Sequence, residues 1–410
     1  MKKTGFILTA SLILCISFSL ISCSQKETAA EKQVIQISDQ DLQEKNAAVY
    51  RTREVRGRTR TYLSLDFSGI EKPASPEEFK QYFHFPPIRQ YNTGTCWCFA
   101  TTSFLESEMK RMGKDPVKLS EMHTAYWEFV EKARRYIKEK GESYVNHGSE
   151  HNAVTARMKD YGAVRASDYT GLLPGQTEHD HGKLLREIKN YLEFCKTNGY
   201  WEEEKAVNYV KSILDKHLGK PPEAISVNGQ TLTPREYLDN VLKLPLDDYV
   251  CFMSLKSFPF YTKGEFKVPD NWWHSQEYYN VPLDDFYAAI VSAINQGYTV
   301  ALGGDVSEPG ISGENDMAIV PTFDIPRRLI DQDSREYRFY NRSSTDDHAI
   351  HLVGYKETGA HAWFLIKDSG GSAHQGQFKG YYFYRDDFVR LKMLNFMVHK
   401  DAVADLLAKF

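Results

Sequence analysis

Cys96 and Gln90 are the residues of this sequence whose type and spacing best suit attack on a carbonyl carbon. They lie in the stretch Gln-Tyr-Asn-Thr-Gly-Thr-Cys-Trp-Cys-Phe, residues 90–99. A thiol at a helix N-terminus lies at the positive end of the helix dipole, which favours the nucleophilic thiolate over the thiol. Gln90 can place a side-chain N–H near the same carbon, where an oxyanion would form. A lone cysteine is usually a small buried hydrophobe, so this interpretation depends on the combination Gln-x5-Cys-Trp.

Apolar spacing predicts the helix that would position Cys96. A Thr-Gly-Thr turn ends at this cysteine, apolar residues then recur at roughly helical spacing, and Gly113 marks the helix C-terminus. The apolar stripe comprises Ala100, Phe104, Leu105, Met109 and Met112. A second helix is predicted from about Glu121 to Lys140, with Ser120 as its N-cap.

The candidate proton carrier lies on a predicted strand much further along the chain. A helix from Asp284 to Gln296 and a stop at Gly297 lead into strand-forming sequence. Residues 346–355 then read Asp-Asp-His-Ala-Ile-His-Leu-Val-Gly-Tyr. Alternate side chains of a strand share a face, so His348 and His351 are predicted to point opposite ways, and only one of them can meet the thiol.

Residues 90–99 resemble the nucleophile segment of papain-like cysteine peptidases, specifically of their bleomycin hydrolase and aminopeptidase C branch. The pattern Asp-His-Ala-x4-Gly, which begins at Asp347, is similar to the family's histidine segment and selects His348 as general base and then general acid. The resemblance covers about residues 80–405. It implies an oxyanion hole made by Gln90 and the backbone N–H of Cys96.

Two departures from the family concern the residue that orients the histidine. The sequence Asp-Ser-Gly-Gly, residues 368–371, stands where the family has Asn-Ser-Trp-Gly. Asp368 therefore replaces the orienting asparagine, and a carboxylate can accept from an imidazole N–H as it does in Ser-His-Asp sites. Gly370 replaces a shielding tryptophan, which predicts a wetter and weaker bond. The resemblance implies a working but altered Cys-His-Asp triad.

The same resemblance implies how substrate would be held. The family's glycine pair on the cleft floor corresponds here to Gly148 and Ser149, which are expected to bind the substrate backbone. Residues of about 172–285 resemble the helical insertion of the branch and account for a Cys-to-His separation longer than the roughly 130–150 residues of papain. The branch has a C-terminal arm that meets the substrate's amino group. Because the sequence reaches only Phe410, exopeptidase specificity is left open.

The N-terminus has the features of an export signal. Residues 1–23 combine two lysines with an apolar run, and they end in Leu-Ile-Ser-Cys, which resembles a bacterial lipobox. Cys23 would then be lipidated, and Ser24 after it favours the outer membrane of the bacterial cell envelope. An ordinary cleaved signal with an incidental Cys23 is the alternative. Residues 24–65 are predicted to be a tether and N-terminal segment, and residues 66–410 the peptidase domain.

Composition limits the partners of the chain. Hydrophobic residues at 41% and a net charge of −4 are typical of a globular protein, and nothing in them favours nucleic acid. Residues 178–181, Glu-His-Asp-His, have metal-ligand side chains, but adjacent polar residues on a loop are more often solvated, so no metal is predicted. No organic cofactor is expected. A disulfide between Cys195 and Cys251 is left open.

The sequence therefore predicts an α+β, papain-like two-lobed fold with a long helical insertion. A helical lobe carries Cys96, an antiparallel sheet or barrel lobe carries His348 and Asp368, and the cleft lies between them. The predicted function is a lipid-anchored cysteine peptidase that acts on peptides as an aminopeptidase or an endopeptidase. One alternative is a catalytically weak envelope lipoprotein that binds peptides or glycans. Another passes the thioester to an amine, as a transferase or ligase. A homo-oligomer is left open.

Overall fold

A computed structural model describes residues 50–55, 58–63 and 65–410 of the chain. The predicted signal peptide with Cys23, and the tether up to residue 49, lie outside the described residues. The chain divides into two units after Leu63. In the first unit, β1 (Tyr50–Val55) and β2 (Arg58–Leu63) pair as an antiparallel hairpin. None of the helices in the described ranges is long and apolar enough to cross a membrane.

The second unit alternates helices and strands along the chain. Its helices are α1 (Cys96–Arg111), α2 (Glu121–Lys138), α3 (His151–Tyr161), α4 (Gly182–Thr197), α5 (Glu203–Leu218), α6 (Pro234–Glu236), α7 (Leu283–Gln296), α8 (Gln332–Tyr340), α9 (Asp386–Lys392) and α10 (Ala404–Leu407). Its strands are β3 (Lys80–Gln81), β4 (Ile225–Val227), β5 (Gln230–Leu232), β6 (Tyr249–Met253), β7 (Thr262–Gly264), β8 (Tyr278–Asn280), β9 (Val300–Gly304), β10 (Ile311–Ser312), β11 (Met317–Ala318), β12 (His348–Thr358), β13 (His361–Lys367), β14 (Tyr381–Arg385) and β15 (Met393–His399).

One large sheet organises this unit. Its strands follow the order β10-β11-β14-β13-β12-β9-β15-β6-β8-β7, and β3 pairs with β12 beside this path. Neighbours are antiparallel except for the pairs β11–β14 and β6–β8. The predicted α+β class with an antiparallel-rich sheet is confirmed. The strand β12 lies near the middle of the sheet, where both of its neighbours fix its position.

Both faces of β12 are buried, and the strand's two-residue period divides its side chains between two cores. Ala349 belongs to the apolar cluster that contains α1 and the other N-terminal helices. Ile350 and Leu352 belong to the cluster that contains α7 and α9. The sheet therefore separates a helical layer, which carries the candidate nucleophile, from a second layer on its far side.

The first helix begins and ends as the sequence predicts, but more of it is buried. It starts at Cys96, Met112 forms its C-cap, and Gly113 follows with a φ of +75°. The predicted apolar stripe describes too little of the buried surface, because every residue from Trp97 to Met109 is buried. Even Glu106 is buried, where it bonds the Lys118 ammonium. The reason is that α1 lies between the sheet and the helices α2 and α3, so only its last turn reaches solvent.

The other predicted helix boundaries agree with the structure to within about two residues. The Ser120 hydroxyl accepts from the His123 backbone N–H at the start of α2, which ends at Lys138 and not at Lys140. The helix α7 ends at Gly297, whose φ is +102°. The strand after it begins at Val300 and not at residue 298.

The predicted insertion of residues 172–285 has its two long helices in its first half. These helices, α4 and α5, are separated near Gly199. In its second half, β6, β7 and β8 join the main sheet, and β6 pairs with β15. The apolar run Tyr-Val-Cys-Phe-Met of β6 is short and largely buried, which suits a core strand. Cys195 and Cys251 are both free thiols, so the disulfide that the sequence left open is not formed.

Candidate active site

Cys96 is the first residue of α1 and is half-buried at the edge of a cavity. The Thr95 carbonyl accepts from the backbone N–H groups of Cys98 and Phe99 at 2.9 and 3.1 Å, which closes the first helical turn. Before this turn, Tyr91 has a φ of +53°, a left-handed conformation that is uncommon outside glycine. The thiol therefore lies at a helix N-terminus, and His348 lines the same cavity.

The hairpin of β12 and β13 brings His348 and Asp368 together. His351 pairs with Lys367 in this antiparallel ladder, so the beginning of β12 lies beside the end of β13. Asp368 follows directly, and its Oδ1 lies 2.8 Å from His348 Nε2. The backbone N–H of Gly370 donates to the same oxygen at 2.6 Å.

His348 and Asp368 each shift the pKa of the other towards the charged form. Burial lowers the pKa of His348, but the Asp368 carboxylate and the hydrogen-bonded Cys96 raise it more, so the pKa lies well above its ordinary value. Burial raises the pKa of Asp368, but the charge and hydrogen bond of His348 lower it further than burial raises it. Because Asp368 occupies Nε2 of the ring, the bond to Cys96 falls to Nδ1. The imidazole thus links the thiol to the carboxylate.

The absence of a tryptophan at Gly370 does not expose this bond. The side chain of Asp368 is 3% exposed and that of His348 is 11% exposed. A Cβ atom on Gly370 would lie 3.1 Å from Asp368 Oδ1 and 3.3 Å from His348 Nε2. The glycine backbone itself therefore covers the pair, and the expectation of a wetter bond is wrong.

His351 meets α1 as well, but two turns further along. Its Nδ1 lies 2.9 Å from the Ser103 hydroxyl, and Lys367 Nζ donates to that hydroxyl at 2.8 Å. Three strand residues span about 10 Å, and the seven helical residues from Cys96 to Ser103 also span about 10 Å. The two histidines therefore contact the same helix at matching intervals. Of these two rings, His348 is the one that hydrogen-bonds Cys96, and the sequence argument did not anticipate that both rings touch α1.

Gln90 is buried and held from two sides. Its Nε2 donates to the Thr93 carbonyl at 2.9 Å, which uses one of its two N–H groups. Its Oε1 accepts from the Ser369 hydroxyl at 2.7 Å, and its backbone N–H donates to the Ser369 carbonyl at 3.0 Å. Gln90 is therefore tied to the segment that carries Asp368, a connection that the sequence did not reveal.

Ser149 lines the Cys96 cavity, whereas Gly148 is covered. The Ser149 hydroxyl donates to Glu128 Oε1 at 2.6 Å. A Cβ atom on Gly148 would lie 1.9 Å from an Asp270 carboxylate oxygen. The structure thus brings Ser149 of the predicted pair to the cavity, whereas Asp270 packs directly on Gly148.

A family model for the Peptidase C1-like family matches residues 176–410, which is more than half of the chain. The chain belongs to the Peptidase C1-like family. The matched range includes His348 and Asp368, and Cys96 lies before it. No curated protein matches the chain significantly.

One solved structure supports the fold of this chain. PepW from Lactobacillus rhamnosis is similar with a TM-score of 0.65 and 17% identity, over 82% of this chain and 84% of that one. At this identity the likeness shows a common fold. Bromelain from Ananas comosus in complex with the inhibitor E64 has a TM-score of 0.34 and 12% identity, over 76% of this chain and 92% of that one.

The C1-like site also contains acidic residues to which the sequence analysis gave no role. Glu150, Asp270, Asp346 and Asp347 line the cavity of Cys96 and His348. Glu150 directly follows Ser149, and Asp346 and Asp347 directly precede His348. Their position next to motif residues could therefore have indicated that they lie at the site. Asp270 had no such signal, because it reaches the cavity only through the folding of the insertion.

The predicted solvated tetrad of residues 178–181 is partly buried in this C1-like chain. His181 is 1% exposed, and its ring stacks on His147 with centroids 6.1 Å apart. Burial lowers the pKa of His181 to about 3. Across the described ranges, no group of three or more His, Cys, Asp or Glu side chains is arranged to hold a metal ion.

Proposed function

We propose that this cysteine peptidase hydrolyses peptide bonds through a Cys-His-Asp triad of Cys96, His348 and Asp368. The observation that carries the proposal is the imidazole of His348, which bonds Asp368 through Nε2 and has Cys96 as its other partner. This arrangement is the one that activation of a nucleophile by an oriented base requires. The high pKa of His348 supports a protonated ring beside the sulfur.

The reaction would then proceed in two steps. Cys96 Sγ attacks the peptide carbonyl carbon, and His348 donates a proton to the leaving amine as the C–N bond breaks. Water then attacks the thioester while His348 accepts its proton, and cleavage of the C–S bond releases the acid and restores the thiol. The second N–H of Gln90 and the backbone N–H of Cys96 would stabilise the oxyanion of both steps.

The proposed subtype is the bleomycin hydrolase and aminopeptidase C branch, on the strength of the segments around Cys96 and His348. The C-terminal residue Phe410 packs on Tyr279, with ring centroids 4.8 Å apart, and on Tyr261. Lys409 bonds Asp285 at 2.8 Å in the same region. Cleavage at chain ends and cleavage at internal bonds are both consistent with the proposal.

The cellular setting is also proposed from the sequence. We propose that Cys23 is lipidated and anchors a mature peptidase domain of about residues 66–410 in the bacterial outer membrane. The lipobox-like sequence supports this, as does the polar tether after it. Metabolic labelling with an alkyne fatty acid should label the full-length protein, and Cys23→Ala should abolish the label.

Peptide cleavage mapping tests the proposed activity. A defined peptide mixture and its N-terminally acetylated counterpart are incubated with the protein from Ser24 onward and with its Cys96→Ala variant. Stepwise loss of N-terminal residues that acetylation blocks would identify an aminopeptidase, and internal cuts indifferent to acetylation an endopeptidase. Cleavage that persists in Cys96→Ala would overturn the proposal.

A further inference from the structure

A loop without regular secondary structure forms part of the wall of the cavity that holds Cys96 and His348. It connects α2 to α3, and Ser149 of this loop lines the cavity. Loops are usually the more mobile parts of a domain. Side chains of α1 and α2 hold this loop, as the following contacts show, so its conformation depends on residues outside the cavity.

Three successive carbonyl groups of the loop accept hydrogen bonds from buried side chains. Lys132 Nζ donates to the carbonyl of Asn146 at 2.8 Å and to that of Gly148. Trp97, the residue after the nucleophile, donates from Nε1 to the His147 carbonyl at 3.1 Å. Both donor residues are buried, and a hydrogen bond is stronger in a medium of low dielectric constant. The loop backbone is therefore fixed against both helices.

Glu128 of α2 joins this loop to a second segment at the cavity. Its Oε1 accepts from the Ser149 hydroxyl at 2.6 Å and from Trp272 Nε1 at 2.6 Å. Asp270, two residues before Trp272, lines the cavity and packs on Gly148. One carboxylate oxygen therefore fixes two cavity-lining segments against each other.

The burial of Glu128 is costly, which points to a role besides stability. Its side chain is 2% exposed, and a buried carboxylate is unfavourable unless it is paired and hydrogen-bonded. Its Oε1 bonds are charge-assisted, and Arg157 Nη1 lies 3.8 Å from Oε2. Apolar residues of similar volume are often as stabilising as a buried ion pair. Fixed geometry at the cavity is what the carboxylate adds.

We propose that Glu128 is a positioning residue for substrate binding, which sets the geometry of the cavity wall through Ser149 and Trp272. Because it is buried, it acts on the substrate through the residues that it holds. The proposal rests on the peptidase function and adds a residue that controls KM. Among the described residues, the hydrogen-bond partners of its Oε1 include no member of the triad, so kcat should change little.

Substitution of Glu128 tests this role by separating KM from kcat. Glu128→Leu removes the acceptor and keeps much of the volume, so KM for a peptide substrate should rise by about tenfold while kcat changes by less than about twofold. Glu128→Gln keeps an acceptor of the same reach and should restore most of the affinity. A residue needed only for stability would lower the fraction of active protein, which lowers the apparent kcat and leaves KM unchanged. Titration of active Cys96 with E-64 measures that fraction.

Glu131→Leu is the matched control, because Glu131 lies on the same helix and contacts Arg134 and the Tyr161 hydroxyl. It should leave KM unchanged even if the melting temperature falls. If Glu128→Leu does not fold, Glu128→Asp, whose carboxylate is one methylene shorter, carries the test with an expected rise in KM of about threefold. An unchanged KM in the folded Glu128 variant, or an equal rise in Glu131→Leu, would overturn the positioning role.

Binding to the Cys96→Ala protein distinguishes failure of this proposal from failure of the peptidase function. Calorimetry measures the affinity of each peptide of the cleavage mixture for this protein, with and without Glu128→Leu. Weaker binding with the second substitution, together with no hydrolysis by the unaltered protein, would uphold the positioning role and reject the peptidase. Hydrolysis by the unaltered protein, together with equal binding and equal KM, would uphold the peptidase and reject the positioning role.

Discussion

His348 and His351 lie three residues apart on β12 and contact the same helix, yet their surroundings carry opposite charge. His348 bonds the Asp368 carboxylate, and its pKa lies well above the ordinary value. His351 is fully buried, and burial together with the Lys367 ammonium holds its pKa well below that value. One ring therefore carries a proton at the cavity, whereas the other stays neutral in the core.

The difference comes from two consecutive residues at the end of β13. Lys367 is the register partner of His351, and the next residue, Asp368, reaches His348. Successive side chains of an extended chain point to opposite sides. The adjacent residues Lys367 and Asp368 therefore place a cation beside His351 and an anion beside His348. Both residues are histidines on the same strand, so their different pKa values come from the neighbouring charges. Those charges distinguish a histidine suited to proton transfer from one with a structural role.

Removing each ring in turn should give opposite phenotypes, and this is the largest expected effect. His348→Ala should lower kcat/KM by about 10²–10⁴-fold, the usual contribution of general acid–base catalysis. His351→Ala should keep cleavage but lower the free energy of unfolding by about 1–3 kcal/mol, because the buried Ser103 hydroxyl loses a hydrogen-bond partner. Kinetics and urea denaturation measure the two quantities. Equal loss of cleavage in both variants would contradict the assignment.

The oxyanion role of Gln90 is the next largest effect. Gln90→Glu keeps the shape and the acceptor of the Ser369 bond but removes the amide donors, so kcat should fall by about 10²–10³-fold. Ser369→Ala removes only the hydroxyl that holds Gln90, and its effect on kcat should be much smaller. Steady-state kinetics on one peptide substrate compare the two. Unchanged kcat in Gln90→Glu would remove Gln90 from the mechanism.

Asp368→Asn should change the pH dependence of the site. His348 must be protonated to give its proton to the leaving amine, and the Asp368 charge keeps it protonated to higher pH. Without that charge the pKa of His348 falls, so the alkaline limb of kcat/KM should move to lower pH by about 1–3 pH units. The pH–rate profiles of the two proteins measure this. An unmoved limb would show that the carboxylate does not govern the ring.

The smallest expected effect is that of Lys367→Met on the pH dependence of stability. Lys367 lies beside the buried His351. Burial lowers the pKa of Lys367 from 10.5 to about 8. Between these values the unfolded chain binds the extra proton, so this group's contribution to stability is full above pH 10.5 and is lost as pH falls through about 8. Lys367→Met should therefore be more stable relative to the unaltered protein at pH 7 than at pH 10. A stability difference that is constant with pH, measured by denaturation, would contradict this.

The parts of the site that sequence could predict are those fixed by local pattern. The start of α1 at Cys96 and the stop at Gly113 follow from a turn and helical spacing, and the motif around His348 distinguished it from His351. Burial on every side of α1 could not be predicted, because it depends on a sheet built from distant segments.

Contacts between distant segments account for the other differences. The bond between Gln90 and Ser369, and the position of Asp270 over Gly148, join parts of the chain more than one hundred residues apart. The strand β6 was missed because a short apolar run has no distinctive period, and only its pairing with β15 makes it a strand. Local sequence motifs therefore identified the candidate reacting residues. The burial and the hydrogen-bond partners of these residues depend on contacts between distant segments and could not be predicted.

Covalent labelling tests the central claim most directly, namely that Cys96 is the nucleophile of a cysteine peptidase. The protein is treated with the epoxide inhibitor E-64, the adduct is located by peptide mass spectrometry, and peptide cleavage is followed in the same sample. Our account predicts one adduct, on Cys96, with loss of cleavage in proportion to labelling, and no adduct on the buried thiols Cys98, Cys195 and Cys251. Cleavage that continues after Cys96 is fully labelled would contradict it.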